Sequence, residues 1–428
     1  MVSDSILTSG NKIIRTAALP NIVFTMALIA IGFTPYIGYN LSNEAKLVLF
    51  VLWALSTLLL HPFTGKECGF KIVVCFAIYL TLQIIYSVIG VSREIVYFLA
   101  RCHIYVVPVA LVYIISYYNT REIKLLWNFA ITIFLFNLLD NIRIGLTGGT
   151  YAFRVTEDTV NTNAGGTAFV VGCMLLLPIF WIVYRKCHEK TLKVLSLLLI
   201  AACAYYVLFL NVRTIAFIVL IIIAIGYLMI ELGKNKKLTR GKMLLRMGVV
   251  VVAVLLLIEP ILNLLSVVFS DNIRMVSRID DMAYVVASGS TESLEDGSLY
   301  TRSILWMASI NTFVSSVPHF LFGVGESVVE TDVFSLLAKG VGNHSEFFDM
   351  AARYGIIGIV IYFFIVKNSI SFFSTLTKDE KTREYMFIIF LGIMFFGFVN
   401  NLSKNVTIFI VIYLVFPLTV VLLNRKAL

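Results

Sequence analysis

NVTIFIVIYLVFPLTVVLL, residues 405–423, runs for nineteen residues without a charged side chain. Lys404 precedes it, and Arg425 and Lys426 follow. An α-helix rises about 1.5 Å per residue, so a stretch of this length spans the ~30 Å hydrocarbon core of a bilayer. Backbone amides in lipid find no water to bond, and a helix satisfies them within the segment. Similar runs recur along the 428-residue chain, which is 59% apolar, 14% charged and has a mean hydropathy of +0.92. No water-soluble fold of this length needs so little polar surface. The expectation is an all-α polytopic membrane protein.

Working outward gives twelve expected spans: 17–38, 45–61, 70–90, 95–117, 122–141, 163–184, 191–210, 213–232, 245–269, 351–373, 383–401 and 405–423. They divide into a nine-span N-terminal bundle (1–269), a large extracytoplasmic loop with short helices (270–350) and three C-terminal spans (351–428), all in one structural domain. A cytoplasmic N-terminus places 22 of the 34 Lys and Arg residues in inner segments, so the positive-inside rule puts both termini in the cytoplasm. The net charge of +9 is then mostly a topology signal, and no nucleic-acid partner is expected. The first apolar run is long and lacks a small-residue cleavage site, so no cleavable leader is expected. The six cysteines fall in spans or inner segments, with neither disulfide nor metal-ligand spacing.

Two outer segments are long, 142–162 and 270–350, and loops of such length usually carry function. Within the second, Trp306, Ile310, Phe313 and Val317 recur at helical spacing, which predicts a helix against the membrane or the bundle, ended by Pro318 and the Gly323/Gly325 pair. Eight of the eleven outer basic residues are arginine, against seven of the 22 inner ones. Guanidinium forks match phosphate oxygens two at a time, so an arginine-biased outer face fits phosphate handling; chance in a small sample together with contact to lipid headgroups explains it equally.

The residues that could carry chemistry lie on that face. In GVGNHSEFFDMAARYGIIG (340–358), Asn343 is a good N-cap type and Glu346 stands in the capping-box position. That predicts His344 in the first helical turn, where the positive dipole end keeps imidazole neutral and able to accept a proton. The alternative is a histidine that only helps to cap a helix. Arg213, at the outer end of a span, can hold a phosphate or snorkel to headgroups. Arg302 has the same choice, with Trp306 one turn later and Tyr300 nearby as aromatic platforms for a sugar. Arg154, Arg274, Arg278 and Arg353 are further candidate contacts, with Asn343 and Glu346, for a phosphate-bearing substrate.

The order of these features resembles the O-antigen polymerase and O-antigen ligase family of bacterial membrane glycosyltransferases. Four pieces carry the resemblance across residues 150–365. They are Arg154 with its Asn-rich turn to Asn163; Arg213 in NVRTIAF; R-x-x-L-W then P-x-x-x-x-G-x-G (Arg302, Leu305, Trp306, Pro318, Gly323, Gly325); and N-H-S then Y-G-I-I-G (Asn343 to Ser345, Tyr354 to Gly358). The resemblance implies metal-independent transfer of a glycan from a polyprenyl diphosphate, without a cofactor, on the outer face of the bacterial cytoplasmic membrane. His344 would activate the acceptor hydroxyl, and Arg213 and Arg302 would hold the diphosphate. The donor, and the acceptor with it, would be lipid-linked oligosaccharides of the O-antigen or capsule type. A chain-length regulator and a flippase are the implied protein partners.

Two other readings stay open at this level. A ligase of the same family would pass the glycan to lipid A core or to a protein. A twelve-span flippase or transporter would be expected to show internal repeats and paired mid-membrane charges, whereas intramembrane ionisable groups here are few: Arg101, His103 and Glu259.

Overall fold

A computed structural model describes residues 13–88, 102–147, 167–210, 226, 266–267, 280, 298–325, 337–402, 406–426 and 428. Among these residues the chain is helical, with no strand. Seven described helices are long and apolar enough to cross a membrane: Asn43–Leu60, Phe70–Val88, Thr120–Thr147, Phe169–Lys186, Glu346–Thr375, Glu380–Val399 and Val406–Asn424. Pro20–Phe33 and His103–Tyr117 are shorter apolar helices. The chain is an all-α, membrane-embedded protein. The expected spans 213–232 and 245–269 lie outside the described residues, apart from Gly226 and residues 266–267.

Contacts sort the chain into two compact units. The first comprises Met1–Tyr206, Phe363–Lys378 and Ser403–Leu428. Its centre is the stretch quoted at the outset. Residues 407–422 are buried, and the segment packs against Ile13–Phe33, His103–Tyr117, Thr120–Thr147 and Thr167–Lys186. A helix apolar on every side has no polar face to turn outward, and the middle of a bundle suits it. Helical winding loosens to π geometry over Val411–Val415, just before Pro417.

Polar side chains inside this unit find one another. Asn21 donates to Ser56 and Thr57 at 3.1 and 2.8 Å, the Trp53 indole donates to Thr25, and the Trp127 indole donates to Thr419 over 2.8 Å. Thr407 donates to the Gly32 carbonyl at 2.5 Å. Without such pairing each group would stay unsatisfied in a medium that offers no water. The first expected span, continuous over 17–38, is broken: the helix Ile13–Phe33 stops and Pro35–Asn40 begins anew. Thr34 is extended (φ −110, ψ 97), because the ring of Pro35 disfavours the α region for the residue before it.

The second unit comprises Val207–Tyr362 and Asp379–Leu402. Its described helices are Ser298–Val314, Val317–Phe322, the start of Glu346–Thr375, and Glu380–Val399. The first two lie in the segment expected to be a large loop with short helices. Gly355 (φ 61, ψ −150) interrupts Glu346–Thr375, so its first turns and the apolar run that follows are separate rods. Every sequence-derived site residue that the structure describes belongs to this unit.

Candidate functional site

The site is built on one face of Ser298–Val314. Along it Trp306, Ser309 and Thr312 recur every three residues, a polar stripe beside the apolar one that the sequence made conspicuous. The segment 338–345 is laced to that stripe. Asn311 donates to the Ala338 carbonyl at 3.3 Å. Thr312 accepts from the Gly340 amide (2.6 Å) and donates to the Gly340 carbonyl (3.1 Å). Ser309 accepts from the Gly342 amide at 2.9 Å, and the Trp306 indole donates to the His344 carbonyl at 3.0 Å. Leu305, Ala308 and Ala338 form the buried apolar backing. At Gly342 the backbones nearly touch: a Cβ would stand 2.1 Å from the Leu305 carbonyl oxygen.

One carboxylate organises the turn. Asp349 is 1% exposed. Its Oδ1 accepts from the Ser309 hydroxyl (2.9 Å) and the Asn343 amide (3.1 Å). Its Oδ2 accepts from the Ser345 amide (3.2 Å) and the Asn401 side chain (3.3 Å). The amides of the two residues flanking His344 in sequence are thus tied to one buried carboxyl group. Asn343 sits in the left-handed region (φ 59), which Asn tolerates better than most residues, and its Oδ1 accepts from Arg353 Nη2.

These contacts correct the expected cap. The helix begins at Glu346, and the Ser345 hydroxyl accepts from the Phe348 amide at 3.2 Å, so Ser345 is the N-cap. Asn343 is outside the helix, held left-handed by Arg353 and Asp349. His344 precedes the cap and does not lie in the first turn. Glu346 opens the helix, buried, with its amide donating to the Asn400 carbonyl at 3.2 Å. Arg353, expected as a substrate contact, is fully buried and braces Asn343 from inside.

The imidazole orientation follows. His344 Nδ1 lies 3.0 Å from the Gly342 carbonyl oxygen, which can only accept, so Nδ1 carries the hydrogen. In the neutral ring the lone pair then resides on Nε2. Arg302, one turn before Trp306, is half-buried, and its Nη1 donates to the Val399 carbonyl at 3.2 Å, where the last turn of Glu380–Val399 offers negative dipole. Asn401, just past that helix, reaches Asp349. Arg302, Trp306 and His344 therefore share one framework.

The two motif blocks of the sequence also interlock. Gly323 is left-handed (φ 71), and a Cβ there would meet the Arg353 carbonyl group at 2.3 Å; one at Gly355 would meet Leu321 at 2.5 Å. The Val324 and Gly325 amides donate to the carbonyls of Ala352 and Arg353, both at 2.9 Å. Arg213, Arg154, Asn163, Arg274 and Arg278 lie outside the described residues, and Tyr300 is placed on the first turn of Ser298–Val314. Among the described residues no three His, Cys, Asp or Glu side chains gather as a metal-ligand set. Sequence reasoning missed Asp349, Ser309 and Asn401; the one available signal was an aspartate just ahead of a long apolar run. No protein-family model and no curated protein sequence matches the chain.

Proposed function

We propose that the protein is a membrane glycosyltransferase of the O-antigen polymerase kind, moving a glycan from a polyprenyl diphosphate to a hydroxyl of a second lipid-linked glycan. The observation that carries the proposal is the His344 ring, with Nδ1–H donated to Gly342 and the amides of both neighbouring residues, Asn343 and Ser345, tied to Asp349. A general base needs a lone pair in a fixed direction, and with the hydrogen of the neutral ring on Nδ1 that lone pair is on Nε2.

In the proposed reaction Nε2 takes the proton of the acceptor hydroxyl as its oxygen attacks the anomeric carbon. The bond from that carbon to the diphosphate oxygen breaks, and the electron pair leaves with the polyprenyl diphosphate. Arg302, joined by Arg213, offsets the charge that grows there, which is where fixed cations lower a barrier most. Trp306 supports a sugar ring close to the base. A single displacement of this kind inverts the anomeric centre. The polyprenyl chains of both substrates reside in lipid, which matches a site carried by a membrane-embedded protein, on the outer face of the bacterial cytoplasmic membrane with both termini inside.

The test is reconstitution with purified lipid-linked oligosaccharide. Wild-type protein lengthens the glycan and releases polyprenyl diphosphate. Consumption of the donor by transport alone, with no new glycosidic bond, contradicts the proposal.

A further inference from the structure

The elbow after Ser298–Val314 is turned inside out for a water-exposed segment. Val317–Phe322 (VPHFLF) has no Asp, Glu, Lys or Arg and no buried residue, and Val314, Val317, Phe320, Leu321 and Phe322 are all exposed. Val317 is 72% exposed and Phe322 54%, a cluster that water does not normally tolerate on a folded surface. What holds the elbow is backbone. The peptide at Leu321 lies against Gly355, and the Val324 and Gly325 amides donate to Ala352 and Arg353. Much of each apolar side chain faces outward, with the Phe320 ring also resting on Phe313 at a centroid distance of 4.9 Å.

Its Ser315, Ser316 and His319 side chains pair with one another or with local backbone. The Ser315 amide and hydroxyl both donate to the Thr312 carbonyl, and Ser315 Oγ pairs with His319 Nδ1 at 2.6 Å. Ser316 caps the short helix by accepting from the His319 amide, Pro318 has no amide hydrogen to satisfy, and the Phe320 and Gly323 amides donate to Ser316 and His319. Exposed apolar side chains beside polar side chains that pair locally suit a hydrocarbon environment, where water is not there to bond them. The anchor has a defined level as well: Gly355 immediately precedes Ile356–Tyr362, the apolar run with which Glu346–Thr375 begins its membrane crossing, and Val360 on that run is itself exposed.

We infer that Val314–Phe322 is a membrane-inserted wedge, with the acyl chains of the surrounding bilayer as its occupant. The wedge fixes the depth of the His344 loop, because the segment that directly follows it, Val324–Gly325, donates to the carbonyls of Ala352 and of Arg353, the residue that braces Asn343. This inference stands apart from the proposed reaction and holds for any chemistry at His344.

The experiment places an extra indole on the wedge. The full-length Phe322→Trp variant is reconstituted in nanodiscs, and its added emission over wild type is recorded. The discs contain either ordinary phosphatidylcholine or phosphatidylcholine brominated near the carbonyl end of its acyl chains. The inference expects the added emission to be largely lost in brominated discs and unchanged by aqueous iodide. Quenching by iodide places the wedge in water and overturns it. Quenching by neither places the wedge against protein, such as a second copy, and also overturns it. Val317→Trp is read in the same way and keeps the inference testable if Phe322→Trp does not fold.

Discussion

The Ser309 hydroxyl donates to the Asp349 carboxylate over 2.9 Å, joining two helices whose sequence positions are forty residues apart. The same Ser309 oxygen accepts from Gly342, and the same carboxylate holds the amides of Asn343 and Ser345. Asp349 is therefore a positioning residue for His344. Replacing Asp349 with asparagine turns an amide donor toward donors, and the loop must move. Transfer should fall about a hundredfold, the penalty for a misplacement near 1 Å, with the KM for lipid-linked donor little changed. Ser309→Ala strands the buried Gly342 amide and should cost about 1–3 kcal/mol of stability. Steady-state kinetics and thermal unfolding of the two variants check both outcomes.

Gly342→Ala places a methyl group 2.1 Å from the Leu305 carbonyl oxygen, backbone against backbone. The helix cannot yield locally, so the loop is pushed off it and the Ser309 and Trp306 bonds to the loop are lost. The variant should be inactive and destabilised by about 1–3 kcal/mol, as for overpacking elsewhere. Unchanged activity together with an unchanged unfolding midpoint would contradict the described packing.

Arg302→Lys retains a positive charge but replaces a planar fork with a point donor. In the proposed reaction, donation to Val399 would then compete with contact to the diphosphate. A fall in kcat of about tenfold or more is expected, since charge-assisted contacts made in the transition state are worth upward of ~1.4 kcal/mol. Trp306→Phe keeps an aromatic face but shortens it and removes the donor to the His344 carbonyl, so its loss should be smaller than that of Trp306→Ala, which removes the face as well.

Much of the architecture was legible from hydropathy. Spans such as 405–423 and 70–90 announce themselves because lipid demands helices, and Pro35 marks the break that a sliding window passes over. The motif residues Trp306 and His344 were legible individually, and the structure joins them. The bracing was not. Asn343 is by type an excellent cap, and only the tertiary hold of Arg353 and Asp349 places it left-handed and passes the cap to Ser345. Ser309 and Thr312 read as minor polar interruptions of an apolar helix until 338–345 lies against them. Arg353 looked like an outward cation, because sequence does not reveal which arginine of a set is turned inward.

A separate prediction concerns the turn between Asn43–Leu60 and Phe70–Val88. Burial pushes the Glu67 carboxyl up, but the Thr64 amide and the Tyr117 phenol outweigh it and bring it from an ordinary 4.5 down to about 2. A depressed carboxyl stabilises the fold above its unfolded value and loses that contribution as pH falls through the folded one. The difference in unfolding midpoint between wild type and Glu67→Gln should be constant above about pH 5 and shrink progressively below it. A difference that grows on acidification would show the opposite linkage.

His344 as general base is tested by the transfer rate of reconstituted His344→Ala with purified lipid-linked oligosaccharide, read beside its thermal unfolding midpoint. A positioned general base contributes on the order of a hundredfold to ten-thousandfold, so the rate should fall by at least about a hundredfold while the midpoint stays near wild type. Glycan extension at the wild-type rate by a folded His344→Ala protein would contradict the account.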